Sequence, residues 1–492
     1  MFGVICRVQA SRAGFKTSFA SISVAAVAAI LMPLAGPSAH AETLSDALAA
    51  AYESNPRIEA ERARLRATDE EVPRALSGFR PIVTLDAEKG ARSTTTKPES
   101  TGTGSFDPWA YQINLTQPVF SGFRTVNGVN EAEAIVRGGR ENLRQVETDT
   151  LLAAVTAYCD VVRDQAILKS RERNVSVLAS ELQAAQVRRA AQEVTKTDVA
   201  QAQARSARAV SDADLARANL KISRATYARI VGHQPASVIE PPLTSKLLPS
   251  SLDMAIDIGG RESPAIVAAL YREEAARYNV DKTWGELLPE VRVEANFTQS
   301  GGSSNFIDRQ EEASVTGRLS VPLYEGGEVR ARVRQAKHTQ VSRLQEIEEA
   351  RTQVVADVTS AWSRLIAARA QLKSDQIQID ANKVALEGVR EEERVGQRTL
   401  LEVLNAEQEY LEAQVQMATT RRDLVVANYA LLGFIGHLTG ESIATNSAIY
   451  DAEAHYNEVR RQWFGISITH DDGRTELVDV DAGPEDPGPV NE

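Results

Sequence analysis

The sequence predicts an α+β membrane protein with four β-strands and two long helices per chain, in which three copies would supply the twelve strands of a closed barrel. Three observations predict this class. A junction of strand, proline, aromatic residue, glycine and long helix occurs twice. Two helical patterns run for about 65 residues each, which corresponds to roughly 100 Å of helix. Only four strand candidates are present, and four strands cannot close a barrel.

The repeated junction indicates that the chain consists of two similar halves. The first junction reads Leu115-Thr-Gln-Pro-Val-Phe-Ser-Gly, and the second reads Leu319-Ser-Val-Pro-Leu-Tyr-Glu-Gly. Pro118 and Gly122 therefore correspond to Pro322 and Gly326, with a separation of 204 residues in both cases. Upstream of the strands the separation is 208 residues, as between Pro81 and Pro289. A period this long does not fit a solenoid unit, and it fits two structural halves.

Residues 1–41 are typical of a cleaved secretory signal. Arg7, Arg12 and Lys16 precede a short run of small apolar residues, and Ala39-His40-Ala41 offers a small-x-small cleavage site. Cys159 is then the single cysteine of the mature chain, so no internal disulfide framework is expected. The formal net charge of −12 argues against nucleic acid as a partner.

The first half, residues 42–240, begins with short helices. Strands are predicted over residues 82–88 and 110–120, where apolar and polar residues alternate on the two sides of a loop rich in Thr, Ser, Gly and Pro. A long helix is predicted over residues 125–190, and a return helix over residues 198–230.

The second half, residues 241–440, repeats this order. It has a helix, a strand pair over 290–299 and 312–324, a long helix over 328–394 and a return helix over 400–435. Gly396 suits a helix end, and Thr197 or Thr399 can cap the return helices.

The C-terminal part of the chain differs from both halves. Residues 441–466 are predicted to form a short helical segment. Residues 467–492 are acidic and rich in Pro and Gly, and we expect them to be disordered.

The strand pattern alone leaves two alternatives open. Each strand has about ten residues, near the length that a tilted strand needs to cross a bilayer. A soluble sandwich with one apolar face would alternate in the same way. The number of strands favours the barrel, because three copies would supply twelve strands.

Several segments in this order resemble the TolC family of outer-membrane channel proteins. They are Thr43-Leu-Ser-Asp-Ala-Leu, Ser54-Asn-Pro56, Gly78-Phe-Arg-Pro81, the two junctions, and Val395-Gly-Gln-Arg-Thr-Leu-Leu-Glu-Val-Leu-Asn405. The resemblance extends over about residues 42–440. Each segment alone is weak evidence, whereas their order and duplicated spacing form a specific signal.

The resemblance implies a homotrimer whose 12-stranded β-barrel contacts outer-membrane lipid. It also implies that this barrel continues into a long α-helical barrel in the periplasm of a Gram-negative bacterium. It implies an export duct that works with an inner-membrane pump of the ABC or RND type and a periplasmic adaptor protein. The cargo would be proteins, in type I secretion, or small toxic compounds. A lipid-anchor cysteine is missing, which favours the branch that serves protein secretion and general efflux.

The resemblance also implies a gate at the periplasmic tip, where acidic rings narrow the pore. It places Glu402 and Asn405 at the two ring positions and Arg398 at the position of an arginine that holds the tip closed. Thr197 and Asp198 fall where the other turn supplies its contact. Since Asn405 replaces an acid, one ring is expected to be uncharged.

A second departure from the family pattern concerns the closing contacts. Glu393 stands where the best-known member of the family has an aromatic gate partner, so the closed state is expected to depend on Arg398 with Asp198 or Glu402. Without the resemblance, each of these side chains would be interpreted as a solvated helix end.

Two further sets of residues are assigned to surfaces. Val395, Gly396 and Gln192 are expected to form the tips that dock the adaptor. Trp109 and Tyr111 are expected to lie in an aromatic belt at the membrane surface, with a buried packing role as the alternative.

Two other classes of protein fit the sequence less well than the export duct. A soluble periplasmic coiled-coil scaffold would explain the helices and leave the strand pairs unexplained. A stand-alone porin would leave the long helices unexplained. The sequence offers no catalytic constellation, no metal site and no Gly-rich phosphate loop, so neither an enzyme nor a cofactor is expected.

Overall fold

The computed structural model describes residues 42–95, 104–241, 248–303, 308–443, 449–469 and 474–477. The predicted signal, residues 1–41, and most of the predicted acidic tail, residues 478–492, lie outside the described residues. None of the helices in the described part of the chain combines the length and the apolar composition that crossing a bilayer requires.

Helices make up most of the described chain. In order they are α1 (Leu44–Ser54), α2 (Pro56–Asp69), α3 (Glu71–Leu76), α4 (Arg124–Ala190), α5 (Lys196–Val231), α6 (Leu252–Glu262), α7 (Pro264–Trp284), α8 (Glu328–Arg394), α9 (Leu400–Phe434), α10 (Gly440–Ile443) and α11 (Ala454–Val459). Helices α4 and α8 have 67 residues each, so each extends for about 100 Å. The sequence predicted their C-terminal ends at the same residues, Ala190 and Arg394.

Four strands form the main sheet in the order β1-β4-β5-β6, and every neighbouring pair is antiparallel. Their bounds are β1 (Ile82–Lys89), β4 (Trp109–Ser121), β5 (Glu290–Gly301) and β6 (Arg309–Ser320). Strand β6 ends four residues before the predicted residue 324. Its last pair is Ser320 with Glu290, and in the described part of the chain no strand lies on its outer side.

The two outer strand pairs have the same register. Val83 faces Leu115 in the β1–β4 pair, and Val291 faces Leu319 in the β5–β6 pair. The first members of these pairs are separated by 208 residues and the second members by 204, which are the separations seen in the sequence.

The loop between β1 and β4 contains a short ladder that the sequence analysis did not predict. Strand β2 (Arg92–Thr94) pairs with β3 (Gly104–Phe106). Phe106 is buried and lies beside Gly104, where a Cβ would come within 3.2 Å of the ring. The absence of a side chain at position 104 therefore leaves room for the aromatic ring.

The main sheet has little cover within one chain. Every residue of β1 and β6 is exposed, including Val83, Leu85, Val315 and Leu319, which are between 60% and 78% exposed. A row of exposed apolar side chains next to free strand edges is typical of a surface that another molecule covers.

The helical bundle holds the main core. Helix α4 packs against α5, α7 and α9, and α8 packs against α9 and α7. Tyr158 and Tyr227 are fully buried at the centre, and the Tyr158 hydroxyl donates to the Ile239 carbonyl at 2.7 Å. Burial raises the pKa of Tyr158 to about 12. This hydrogen bond holds the linker between the two halves against the first long helix.

The C-terminal segment packs back onto the first helices. The Arg62 guanidinium lies between the rings of Tyr52 and Tyr450, 4.8 Å and 4.7 Å from their centroids. His455 on α11 contacts the buried carboxylate of Asp69 at 3.1 Å. These contacts fix the segment after α9 to α1 and α2.

The predicted disordered tail is wrong at its start. Strand β7 (Ser467–Thr469) pairs with β8 (Thr475–Leu477) in a short antiparallel ladder. The alternation of Ile468 with polar neighbours is a weak strand signal, and the acidic composition of the whole tail masked it.

Candidate functional site: the two turns at the helix tips

Each long helix ends in the same type of turn. At the end of α8, Gly396 has a φ of 79°, its N–H donates to the Glu393 carbonyl at 2.9 Å, and the Gln397 N–H donates to the Glu392 carbonyl at 2.8 Å. These two bonds define a Schellman motif, which satisfies the carbonyls left free at a helix end.

The turn after α4 has the same bonds without a glycine. Gln192 has a φ of 62°, its N–H donates to the Arg189 carbonyl at 3.0 Å, and the Glu193 N–H donates to the Arg188 carbonyl at 2.9 Å. A side chain in the left-handed region costs about 1–2 kcal/mol relative to glycine. Gln192 and Val395, which is 69% exposed, both lie at the outer surface of the turns.

The return helices begin with two matching capping boxes. Thr399 Oγ1 donates to Glu402 Oε1 at 2.9 Å and accepts from the Glu402 N–H. Thr195 Oγ1 donates to Asp198 Oδ2 at 2.7 Å and accepts from the Asp198 N–H at 3.2 Å. Each box satisfies donors at the start of a helix.

The prediction that Thr197 caps the first return helix is wrong. The cap is Thr195, and Thr197 is an exposed residue in the first turn of α5, which begins at Lys196. The sequence contained the signal that was missed, because Thr195 precedes Thr399 by 204 residues, the separation that relates the two halves.

Arg398 joins two acidic residues of its own turn. Its Nε donates to Glu392 Oε2 and its Nη1 donates to Glu402 Oε2, both at 2.7 Å. The hydrogen bond from Arg398, followed by that from Thr399, lowers the pKa of Glu402. All three side chains are accessible to water. Glu402 therefore remains a carboxylate with its negative charge partly offset.

The carboxylate of Asp198 forms hydrogen bonds within the capping box at the start of α5. Hydrogen bonds from the Thr195 side chain and backbone lower the pKa of Asp198. Among the described residues of one chain, Arg398 contacts Glu392 and Glu402 and makes no ion pair with Asp198. Of the two predicted partners, the structure brings Arg398 together with Glu402.

The two turns carry opposite net charge and touch each other. Residues 188–205 contain four basic and two acidic side chains, whereas residues 390–409 contain three basic and six acidic ones. Arg188 forms an ion pair with Glu393, and Arg205 Nη2 donates to Asn405 Oδ1 at 3.0 Å. Glu393 thus connects the second turn to the first.

A buried carboxylate lies just above the turns and was not singled out in the sequence. Glu407 on α9 is 7% exposed and pairs with Arg390 on α8. Burial raises the pKa of Glu407, and the Arg390 charge partly opposes that effect. It borders a small apolar cluster of Leu178, Ala209 and Leu404. In the sequence, the sign of this buried carboxylate is a charged residue at a core position of α9.

The strand-to-helix junctions are at the other end of the long helices. Gly122 has a φ of 63°, and a Cβ there would come within 2.3 Å of the Gly285 carbonyl oxygen. Gly326 has a φ of 69° with no atom of the chain within 4 Å of such a Cβ. Pro118 lies at a register shift of β4, and Pro322 follows the end of β6. Both prolines occur where no ladder donor is needed.

Trp109 and Tyr111 lie at the far end of β4. Their ring centroids are 5.6 Å apart, and Tyr111 is 53% exposed. The Trp109 ring covers Gly301 on the neighbouring strand, where a Cβ would lie 2.8 Å from it. Trp109 therefore packs partly across the sheet, while Tyr111 faces the surroundings.

Comparisons with known proteins identify the family to which the chain belongs. The sequence profile of the outer membrane efflux protein family matches residues 47–233 and 261–437. Outer membrane efflux protein BepC of Brucella suis is 36% identical over 464 residues, covering 93% of this chain and 99% of the relative. The chain belongs to the outer membrane efflux protein family.

Two more comparisons extend the match. Alkaline protease secretion protein AprF of Pseudomonas aeruginosa is 24% identical, covering 71% of this chain and 74% of the relative. The crystal structure of the Campylobacter jejuni CmeC outer membrane channel has the same fold, with a TM-score of 0.75 at 13% identity over 85% of this chain and 89% of that one.

These findings give the chain its general role. It is an outer-membrane protein of the TolC type that serves as an export channel. Its relatives are named as channel, efflux and secretion proteins rather than as enzymes. They do not favour the soluble scaffold or the stand-alone porin.

Proposed function

We propose that three copies of this chain form the working channel, with a 12-stranded barrel built from three four-stranded sheets and an α-helical barrel built from the long helices. The observation that carries the proposal is the four-stranded main sheet, which has an exposed apolar surface and whose edge strands β1 and β6 have no further neighbouring strand among the described residues. An isolated sheet of this kind would be prone to aggregate, and closure with two further copies removes both edges.

The internal two-fold repeat supplies a specific register for the missing contact. Within the chain, Leu115 on β4 faces Ala295 on β5. The residue 204 positions after Leu115 is Leu319 on β6, and the residue 208 positions before Ala295 is Ala87 on β1. The repeat therefore places Leu319 opposite Ala87 of the next copy. The shared register of the β1–β4 and β5–β6 pairs supports using the two shifts in this way.

Cysteine cross-linking tests this register in the purified protein. We expect the Leu319→Cys, Ala87→Cys variant to form disulfide-linked trimers under mild oxidation. The matched control is Leu319→Cys with Glu88→Cys, because one residue along a strand points to the opposite face. Cross-linking of the control pair and not of the first pair would refute the register, and a monomer in native mass measurements would refute the trimer.

We further propose that the two turns form a gate at the periplasmic end of the helical barrel. Three copies would bring Glu402 and Arg398 around one axis, where like charges repel and their pairing decides how closely the tips approach. The contacts of Arg398 with Glu392 and Glu402 support this role. Thr197 and Asp198 would line the neighbouring tip, with Asp198 able to pair with an arginine of an adjacent copy.

Permeability of whole cells tests the gate. We expect Arg398→Ala to admit a large hydrophilic dye that the wild-type outer membrane excludes. Arg394→Ala is the matched control, since Arg394 pairs only with Glu391 of its own helix among the described residues. Equal dye exclusion by both variants at wild-type protein levels would contradict the gate assignment.

The partners and cargo follow from the relatives by analogy. We propose that the chain works with a periplasmic adaptor protein and an inner-membrane pump of the ABC or RND type, and that the adaptor docks on Val395, Gly396 and Gln192. The similarity to an efflux protein favours small toxic compounds as cargo, and the similarity to a protease secretion protein keeps protein export as the second candidate. Deleting the gene and measuring both drug sensitivity and secreted protein separates the two.

The remaining assignments concern the membrane end. Tyr111, with its exposed ring, and Trp109 would lie in the aromatic belt at the outer surface. Pro118, Gly122, Pro322 and Gly326 would turn the chain from the barrel strands into the long helices.

A further inference from the structure

We propose that the second ring of the gate is positively charged, because Arg205 brings a guanidinium group to Asn405, and that this ring weakens the cation selectivity that the acidic turn would otherwise impose. The inference rests on the proposed function, in which the two turns surround the pore.

The hydrogen bond between the two return helices carries the inference. Arg205 Nη2 on α5 donates to Asn405 Oδ1 on α9 at 3.0 Å. Arg205 is half-buried and Asn405 is exposed. The hydrogen bond therefore holds the guanidinium group next to the exposed side chain of Asn405. The sequence alone indicated an uncharged ring here. The structure adds one positive charge per chain at the same level.

Among the described residues, no carboxylate forms an ion pair with Arg205. Asp212 and Glu407 line the same niche as Arg205, but Asp212 pairs with Arg171 at 3.1 Å and Glu407 pairs with Arg390. In the part of the chain that the structure describes, Arg205 makes no ion pair. Arg208, one turn along α5 and exposed, makes none there either.

The first ring has the opposite sign. Arg398 and its two carboxylate partners, Glu392 and Glu402, carry one net negative charge per chain. Asn405 follows Glu402 by three residues, which is about 4.5 Å along a helix. An ion crossing the gate would therefore meet a negative ring and then a positive ring. The negative ring stabilises cations and the positive ring stabilises anions, so the gate excludes neither cations nor anions strongly.

Reversal potentials across a planar bilayer under a potassium chloride gradient test the inference. We expect Arg205→Gln to raise the ratio of potassium to chloride permeability by about twofold or more, the effect of removing a unit charge about 8 Å from the ion path in water. Asn405→Asp, which retains Arg205 and offsets its charge, should move the ratio in the same direction.

Two further variants make the result decisive. Arg217→Gln is the matched control, because Arg217 lies on the same helix and pairs with Asp214 and Glu172. It should leave the ratio unchanged. Glu402→Gln should lower the ratio. If Glu402→Gln lowers it while Arg205→Gln and Asn405→Asp do not raise it, the positive ring is refuted and the gate stands. If none of the variants changes the ratio, the turns do not line the pore and both proposals fail.

Discussion

Gln192 and Gly396 occupy the same position in two turns that are 204 residues apart, and both have left-handed backbone conformations, with φ values of 62° and 79°. One half of the chain uses glycine there and the other carries a side chain in a conformation that disfavours it. The two tips of the helical bundle are thus alike in hydrogen bonding and unlike in backbone strain.

Exchanging the two residue types should change the stability of the tips in opposite directions. We expect Gln192→Gly to stabilise the first turn by about 1 kcal/mol and Gly396→Gln to destabilise the second by a similar amount. Nothing lies within 4 Å of a Cβ at Gly396, so the backbone conformation is the main cost. Amide hydrogen exchange of the turn residues measures both effects, and a loss of protection in Gln192→Gly would contradict this account.

The cap of the first return helix provides a second test. Thr195→Ala should cost about 1 kcal/mol, because the N-terminal donors of α5 lose the hydroxyl acceptor. Thr197→Ala, two residues later and without a capping bond, should change stability by less than about 0.5 kcal/mol. Thermal unfolding of the two variants distinguishes them. A larger effect at Thr197 would favour the original sequence prediction.

The ion pair between the turns should respond to charge reversal. Arg188→Glu places two carboxylates together where Arg188 and Glu393 now pair, so the turns should separate and single-channel conductance should rise. Adding Glu393→Arg restores opposite charges and should return the conductance toward the wild-type value. If the double variant conducts as much as the single one, the pair does not hold the turns together.

The buried carboxylate of Glu407 should make stability depend on pH. Its pKa is raised by burial in the folded chain, so the folded state holds this proton more tightly than the unfolded state does. The free energy of unfolding should therefore fall as the pH rises from the usual glutamate pKa to the raised one. Above that pH range the cost of burying the ionised carboxylate is fully present.

Glu407→Gln removes this titration. The stability of the wild type relative to Glu407→Gln should decrease through the same pH window and stay constant below it. Thermal unfolding of both proteins over a series of pH values measures the difference. A difference that does not vary with pH would show that the carboxylate does not titrate in this range.

The long elements were predictable because each is set by a pattern that extends over many residues. Gly396 signals the end of α8, and the separation of 204 residues places the end of α4 at the corresponding residue. The main strands follow from alternation over about ten residues. The ladder of β2 and β3 and the start of the tail were missed because three-residue strands have too few positions to form a pattern.

Contacts between distant side chains could not be predicted in the same way. Arg188 with Glu393 and Arg205 with Asn405 join residues about 200 positions apart, and the pairing depends on how two hairpins approach each other. Thr195 is a different case, because the separation of 204 residues would have identified it.

Single-channel conductance of the purified protein in a planar bilayer tests the central claim most directly. We compare the wild type with Arg398→Ala and with the control Arg394→Ala. A trimeric channel gated by its helical turns predicts small currents in the wild type and the control and clearly larger currents in Arg398→Ala. Equal currents in all three proteins would contradict the gate, and the absence of any channel from folded protein would contradict the export channel itself.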